Sequence, residues 1–427
     1  MTLESKLVIK KYKPFIIAVT GSVGKTSAKD AIYAVLATTG KHIRKSEKSF
    51  NSEIGTPLTI LGVRNAWQDP LGWFSNMMHG LEMIFFKVEY PSILVLEVGA
   101  DHPGDIERLV KWLRPDIAVI TKIGDVPVHV EFFDSPEAVR KEKLFLAQGV
   151  KEGGTVILYA DDDKLCDLKF DNRKTMSYGM AAEASVKGSL PVILYKEENG
   201  SRKPDGISFK LEYAGNSVPI LLEKVLGIQH VYPILAAVAV GIVQGVTLDQ
   251  AADSVKSYKA PRGRMNIIDG LKGSTIIDDS YNSSPTALAV ALAAFAEIEG
   301  ADRKIAILGD MMELGQYSAD EHKKAGVFVA KSLDQARGDF LVTVGQRAKG
   351  IREGALSAGM SESSIVSFDS SNDAAGKLKD MLKTGDIILV KGSQSPRMER
   401  VTKALMADPS HAALLLVRQE KEWLEKK

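Results

Sequence analysis

Short apolar runs alternate with helical spacing through the first third of the chain. Phe15-Ile16-Ile17-Ala18-Val19, Ile93-Leu94-Val95-Leu96 and Ile117-Ala118-Val119-Ile120 are almost unbroken aliphatic runs of strand length. Strands covered on both faces of a parallel sheet have this texture, because no position faces water. Ser27 to about Ala37 reads as a helix that Gly40 is placed to end. From Lys151 to about Glu223, segments such as Val156-Ile157-Leu158-Tyr159 and Val192-Ile193-Leu194-Tyr195 are separated by Gly, Asn, Asp and Pro. That spacing predicts antiparallel strands inserted over about 151–225. After a hinge at Tyr258-Lys259-Ala260-Pro261-Arg262-Gly263, strand-like runs recur at 274–279, 303–309, 339–344, 364–368 and 386–391. Helical spacing lies between them, which predicts a second doubly wound sheet. The expected fold class is therefore α/β: a central, mostly parallel sheet with an antiparallel β insertion over 1–258, then a second α/β domain over 259–427.

Two segments stand outside this alternation. The tail from Ala412 to Lys427 predicts a charged amphipathic helix. Residues 67–86 concentrate two Trp, three Phe and three Met between strands. A buried excursion helix is the first reading of that segment; a partner-binding or membrane-surface patch is the second, since large exposed apolar patches mark interaction sites.

Composition narrows the class. Of 427 residues, 55 are Lys or Arg and 54 are Asp or Glu, giving a net charge of +1. No overall field draws the chain to nucleic acid. The 45% hydrophobic content supports sizeable cores. Cys166 is the one cysteine, which excludes an internal disulfide or a thiolate zinc cage and fits a reducing compartment. No secretory leader is visible at Met1–Lys11, and no run approaches the ~18 apolar residues of a spanning helix. A cytoplasmic location is expected.

Thr20-Gly21-Ser22-Val23-Gly24-Lys25-Thr26-Ser27 follows a strand and opens a helix. Backbone N–H groups at a helix N-terminus cradle polyphosphates, so this is a P-loop-type site. Gly21 and Gly24 permit the turns, Lys25 can reach the β and γ phosphates, and the Thr26 hydroxyl can join a Mg²⁺ shell. Val19 stands where the common pattern carries a further glycine. Glu97 ends a predicted parallel strand, where ligands of open α/β sheets bind. His129 follows the next strand and is a second candidate metal ligand. Lys143 lies on a helix that Ser135-Pro136 opens. At 100° per residue it shares an apolar stripe with Val139, Leu146, Ala147 and Val150. A charged lysine there must snorkel, be paired, or be converted covalently into an anion.

These segments together resemble the Mur ligase family of ATP-dependent amide-forming enzymes. The matching residues run in family order: Thr20–Ser27, Asn51–Thr59, Leu96–Gly104, His129-Val130-Glu131, Arg140–Lys143, Gly263-Arg264-Met265, Ile277–Asn282, Leu308–Gly315 and Val390–Ser393. The resemblance implies a Rossmann-like C-terminal domain, with ATP and Mg²⁺ as cofactors. By it, Gly21, Ser22, Val23, Gly24, Lys25, Thr26 and Ser27 hold the phosphates. Thr26, Glu97, His129 and a carbamylated Lys143 hold metal, with Lys25, Lys143, His129 and Arg264 in the catalytic group. Arg264 swings onto the phosphates as the domains close, and Asp279 holds the ribose. Asn51 faces the acyl substrate, while Lys391 and Ser393 help place the amine.

The implied reaction is acyl-phosphate ligation, adding D-alanyl-D-alanine to a UDP-muramoyl-tripeptide-like acceptor in peptidoglycan precursor synthesis. The implied partners are small peptide and nucleotide-sugar substrates. Another acid–amine pair, of polyglutamate or folate type, is the alternative within the class. A nucleotide-binding partner subunit without turnover is the alternative outside it. A GTPase switch finds no support, because no Asn-Lys-x-Asp signature occurs. The pattern departs from the family in three places. Nothing matches the N-terminal domain that grips the UDP end. His230 and Pro233 replace asparagines on the adenine side, and Ser52 and Ser284 replace others.

Overall fold

A computed structural model describes residues 1–47, 54–198 and 201–425. The first sheet contains β1 (Phe15–Thr20), β2 (Ile43–Lys45), β3 (Ile93–Glu97), β4 (Ile117–Ile120) and β5 (Thr155–Tyr159). It continues through β6 (Lys174–Gly179), β7 (Val186–Glu198), β8 (Ser201–Tyr213) and β9 (Asn216–Glu223). Its strand order is 2-3-1-4-5-6-7-8-9. The second sheet holds β10 (Asn266–Asp269), β11 (Thr275–Asp279), β12 (Lys304–Gly309), β13 (Phe340–Val344), β14 (Ile365–Phe368) and β15 (Ile387–Lys391), in the order 10-11-15-12-13-14.

The continuous aliphatic runs become the strands covered on both faces. Ile16, Ile17, Ala18 and Val19 are all fully buried, as are all four residues of β4. Helices Lys25–Ala37 and Val231–Val243 pack together over one face of the first sheet. The second sheet carries separate cores on its two faces. All five of its expected strands start one residue later than read from the sequence and end where expected.

The region 151–223 differs from expectation. β5 pairs parallel with β4, and β6 parallel with β5, so both extend the parallel sheet. Antiparallel pairing begins only between β7 and β8 and continues to β9. Thr155–Tyr159 is buried at every position, which is a parallel-strand texture that the turn-rich surroundings masked. The tail also differs. Instead of one helix it forms Ala412–Leu415 and Lys421–Leu424. Between them Arg418 adopts φ 56° and is buried, donating to Ser280 O at 3.1 Å and pairing with Glu399 at 3.0 Å. That anchor breaks the helix. Residues 67–86 form helix Pro70–Phe85, of which only Gly80 and Met83 are buried, so the buried-excursion reading fails. The short edge strands β2 and β10 have no clear sequence signal.

Helix Asp105–Leu113 begins on Gly104, which offers no side-chain cap. The buried Glu142 carboxylate fills that place, accepting from the N–H groups of Gly104 (2.9 Å), Ile106 (2.7 Å) and Glu107 (3.1 Å). Three orphan donors converge on one acceptor, which holds the loop from β3 in place. Glu142→Ala should cost about 2 kcal/mol in denaturant unfolding, with Glu142→Gln intermediate; an unshifted midpoint in Glu142→Ala would contradict this role.

Candidate active site

The parallel strands β1, β3 and β4 deliver their carboxyl ends to one edge, and the site grows there. Between β1 and helix Lys25–Ala37 the chain turns at Gly21 and at Gly24, the helix N-cap. Gly21 has φ +149°, and a Cβ on it would lie 1.9 Å from Thr121 Oγ1, so only glycine fits. The N–H groups of Ser22 and Val23 donate to Lys122 O at 2.9 and 3.1 Å. That contact locks the loop and takes up these two amides. The first-turn N–H groups that follow have no intrahelical acceptor, the arrangement that suits an anion. Lys25 Nζ folds back to donate to Gly21 O at 2.8 Å. Burial lowers its pKa, against the opposing pull of Glu97.

Around this loop lies a cleft of about 260 Å³, lined by Thr26, Glu97, Asp101, His129, Arg264 and Glu313 among others. Glu97 is placed by register, opposite Val19 of β1, and its N–H donates to Ser46 Oγ at 3.0 Å. His129 stands at φ 67° in the loop after β4. Its Nε2 lies 3.6 Å from Asp101 and its Nδ1 3.2 Å from Glu313, which comes from the second domain. Burial pulls the His129 pKa down to about 4, with Lys25 and Lys143 adding to the shift and Asp101 opposing it. The ring is therefore a neutral donor at physiological pH.

Lys143 sits on helix Pro136–Gln148, with Ser135 Oγ accepting from Ala138 N–H as the cap. It is 1% exposed. Snorkelling is thereby excluded. Among the described residues no carboxylate lies within ion-pair distance of its amine. Desolvation, then repulsion from Lys25, brings its pKa down to about 7. No group of three or more His, Cys, Asp or Glu side chains among the described residues is arranged as a metal cage.

A second pocket of about 110 Å³ adjoins the loop on the other side of Val23 and Gly24. Tyr159 and Tyr178 line it, with ring centroids 5.9 Å apart edge to face. Such walls suit a flat ring. His230 is buried there with neither ring nitrogen hydrogen-bonded, and Gln229 Oε1 is likewise unpartnered. Pro233 also lines this pocket, so the polar groups come from its neighbours. Asp279 and Lys391 face each other across β11 and β15, and Lys391 Nζ lies 2.6 Å from Asp279 Oδ2 and 3.0 Å from Asn282 O. The ribose and amine expectations for these residues thus meet in one buried ion pair in the nucleotide-side pocket. Ser393 is held by Met312 N–H at 2.9 Å and donates to Ser283 O at 3.2 Å.

Arg264 lines both pockets, its guanidinium 4.2 Å from the Tyr281 ring centroid. It is already at the loop in this conformation. Ser27 lines the nucleotide-side pocket. Asn51 lies outside the described residues. Sequence reasoning missed Asp101, Glu313, Tyr159 and Tyr178 as site residues; Asp101 and Glu313 lay within matched segments but carried no separate signal.

Two sheets meeting over a phosphate loop, with acid, imidazole and lysine gathered beside it, define a nucleotide-dependent two-domain ligase architecture. The Mur ligase middle domain matches residues 74–241, and the Mur ligase glutamate ligase domain matches 263–394. The UDP-N-acetylmuramoyl-tripeptide–D-alanyl-D-alanine ligase of Bacillus subtilis is 30% identical over 405 residues, covering 95% of this chain and 79% of the relative. The MurF ligase of Thermotoga maritima, solved in complex with ADP, is 25% identical with a TM-score of 0.73, covering 94% of this chain and 82% of that one. MurF from Acinetobacter baumannii shares the fold at 23% identity, with a TM-score of 0.75 over 95% of this chain and 79% of that one. The chain belongs to the Mur ligase family, whose members are ATP-dependent ligases that form carbon–nitrogen bonds.

The Asp279–Lys391 pair is buried on both sides, so removing one partner strands the other. Lys391→Met should lower unfolding free energy by about 3 kcal/mol, and adding Asp279→Leu should recover part of that loss. Equal stability of single and double variants in denaturant titration would contradict the pairing.

Proposed function

We propose that this chain joins D-alanyl-D-alanine to a UDP-muramoyl-tripeptide or a similarly built acceptor, using ATP and Mg²⁺ in the cytoplasm. The observation that carries the reading is the gathering of Lys25, Glu97 and His129 from one domain with Arg264 and Glu313 at the same loop. Lys143 is close enough to feel Lys25 and His129 electrostatically. In this reading Lys25 and the helix N-terminus bind the β and γ phosphates, and Asp279 with Lys391 borders the ribose side. Gln229 and His230 present polar atoms to a base lodged in the pocket that Tyr159 and Tyr178 border.

The residues fit a divalent cation on one condition. The Thr26 hydroxyl, the Glu97 carboxylate and the neutral His129 are suitable donors, but an ammonium on Lys143 would repel the ion. A neutral Lys143 amine can add to carbon dioxide and release a proton, ending as a carbamate anion. This removes the repulsion, and with phosphate oxygens it completes a site that His and carboxylates alone do not make. The bound Mg²⁺ would neutralise developing charge on the transferring phosphoryl group.

The chain's own groups handle the rest. The acceptor carboxylate and the triphosphate repel each other, and Lys25 and Arg264 offset that repulsion at the point of attack. The carboxylate oxygen takes the γ-phosphoryl group and ADP departs. The neutral amine then attacks the acyl carbon, and phosphate leaves from the tetrahedral intermediate as the nitrogen gives up one proton to the departing phosphate. Packing of the second domain over the loop keeps water from the acyl phosphate.

Phosphate release should require ATP, UDP-muramoyl-tripeptide and D-alanyl-D-alanine together. Lys143→Ala should reduce turnover by about a thousand-fold or more, the scale expected when transition-state charge stabilisation is lost, with partial rescue by a short carboxylic acid. Full activity in the unsupplemented variant would refute the lysine assignment; release of phosphate without acceptor and amine would refute the ligase reading.

A further inference from the structure

Helix Pro70–Phe85 is fixed to the molecule by one face only. Asp69 caps it, accepting from Leu71 N–H at 3.0 Å. Its inner side rests on helix Thr2–Tyr12, where Glu4 approaches Gly80 so closely that a Cβ there would lie 3.0 Å from the carboxyl carbon. At the far end Lys11 Nζ donates to the carbonyls of Met83 and Ile84 at 3.0 Å and of Phe86 at 2.6 Å. The helix is therefore a rigid ledge with its outer face free.

That outer face is largely apolar, with Glu82 between Met78 and Phe85 as its one carboxylate. Leu71, Phe74, Met78 and Phe85 fall on one stripe at helical spacing, and Trp67 and Phe86 extend it at either end. Leu71 is 79% exposed, Phe74 56% and Phe85 76%. Bulky side chains in such a stripe lose hydration strain only when something covers them. Charge says what covers them. Lys10, Lys13 and Lys87 are exposed toward this side of the molecule, with the Lys11 charge held at the carbonyls of the helix end, against Glu82 and Glu89. Glu82 is 3.4 Å from His79, and Glu89 is 3.4 Å from His42. A second copy packed antiparallel would set these lysines against the positive N-terminus of its helix, and a parallel copy would set lysines on lysines. An anionic surface meets both the stripe and the cations.

We propose that the outer face of helix Pro70–Phe85, flanked by the lysines of helix Thr2–Tyr12 and by Lys87, docks on an anionic lipid bilayer. The helix lies in the interface with its aromatic stripe among the acyl chains and its lysines at the headgroups. No helix among the described residues is long and apolar enough to cross a membrane. The contact is peripheral.

The test is flotation of the full chain with phosphatidylcholine vesicles and with equal mixtures of phosphatidylcholine and phosphatidylglycerol. The chain should float with the mixed vesicles, stay behind with phosphatidylcholine alone, and be released by high salt. Phe74→Glu with Phe85→Glu should weaken partitioning about ten-fold or more, with an unchanged thermal midpoint because both side chains are exposed. Lys87→Gln should weaken it about five-fold. Absence of flotation, or flotation unaffected by the Phe variants, overturns the proposal. Concentration-dependent self-association abolished by the same Phe variants, without vesicle binding, also overturns it and gives the face to a second copy.

Discussion

Buried positive charge is the constraint on which the site depends. Lys143 is withdrawn from water, and the half-buried Lys25 beside it repels it. Burial penalises each charge, and proximity penalises the pair. The described structure offers only partial compensation, through Glu97, Asp101 and Glu313. Such a site is stable to the extent that an anion enters it or a lysine gives up its charge. In the proposed function a triphosphate would supply the first remedy and conversion of Lys143 the second. Both belong to the same chemistry.

The second domain enters that electrostatic problem directly. Arg264 stands on Tyr281, and Glu313 reaches His129 at 3.2 Å. Docking of the two sheets is thus coupled to the charge state of the loop. A ligand that adds negative charge at Lys25 strengthens the pull on Arg264 and weakens the hold of Glu313. Arg264 lines both the pocket beside Tyr159 and the cleft beside Glu97, so the residue that joins the domains also borders both cavities.

Much of this was legible in the sequence, for reasons that differ by element. Continuous aliphatic runs identified β1, β3, β4 and the second-sheet strands other than β10, because strands buried on both faces carry no alternation. Thr155–Tyr159 had the same texture but was read with its turn-rich neighbours, so its parallel pairing was missed. Helix Pro70–Phe85 shows the reverse error: apolar content suggested burial, whereas exposure is decided by which face finds a neighbour. The placement of Lys143 on an apolar stripe was readable from helical periodicity alone. The Asp279–Lys391 pair was not, since it arises from the register of two strands joined by a long crossover. Glu313 likewise lies far from His129 in sequence, and only domain packing brings them together.

The central claim is that Lys143 carries a carbamate which shares a cation with the bound triphosphate. Carbon-13 NMR of the full chain under labelled carbon dioxide tests it most directly. The account predicts one protein carbamate resonance that is absent in Lys143→Ala and is broadened by Mn²⁺ once a non-hydrolysable ATP analogue is bound. A spectrum lacking that resonance, or one in which Mn²⁺ with the analogue leaves it sharp, would contradict the account.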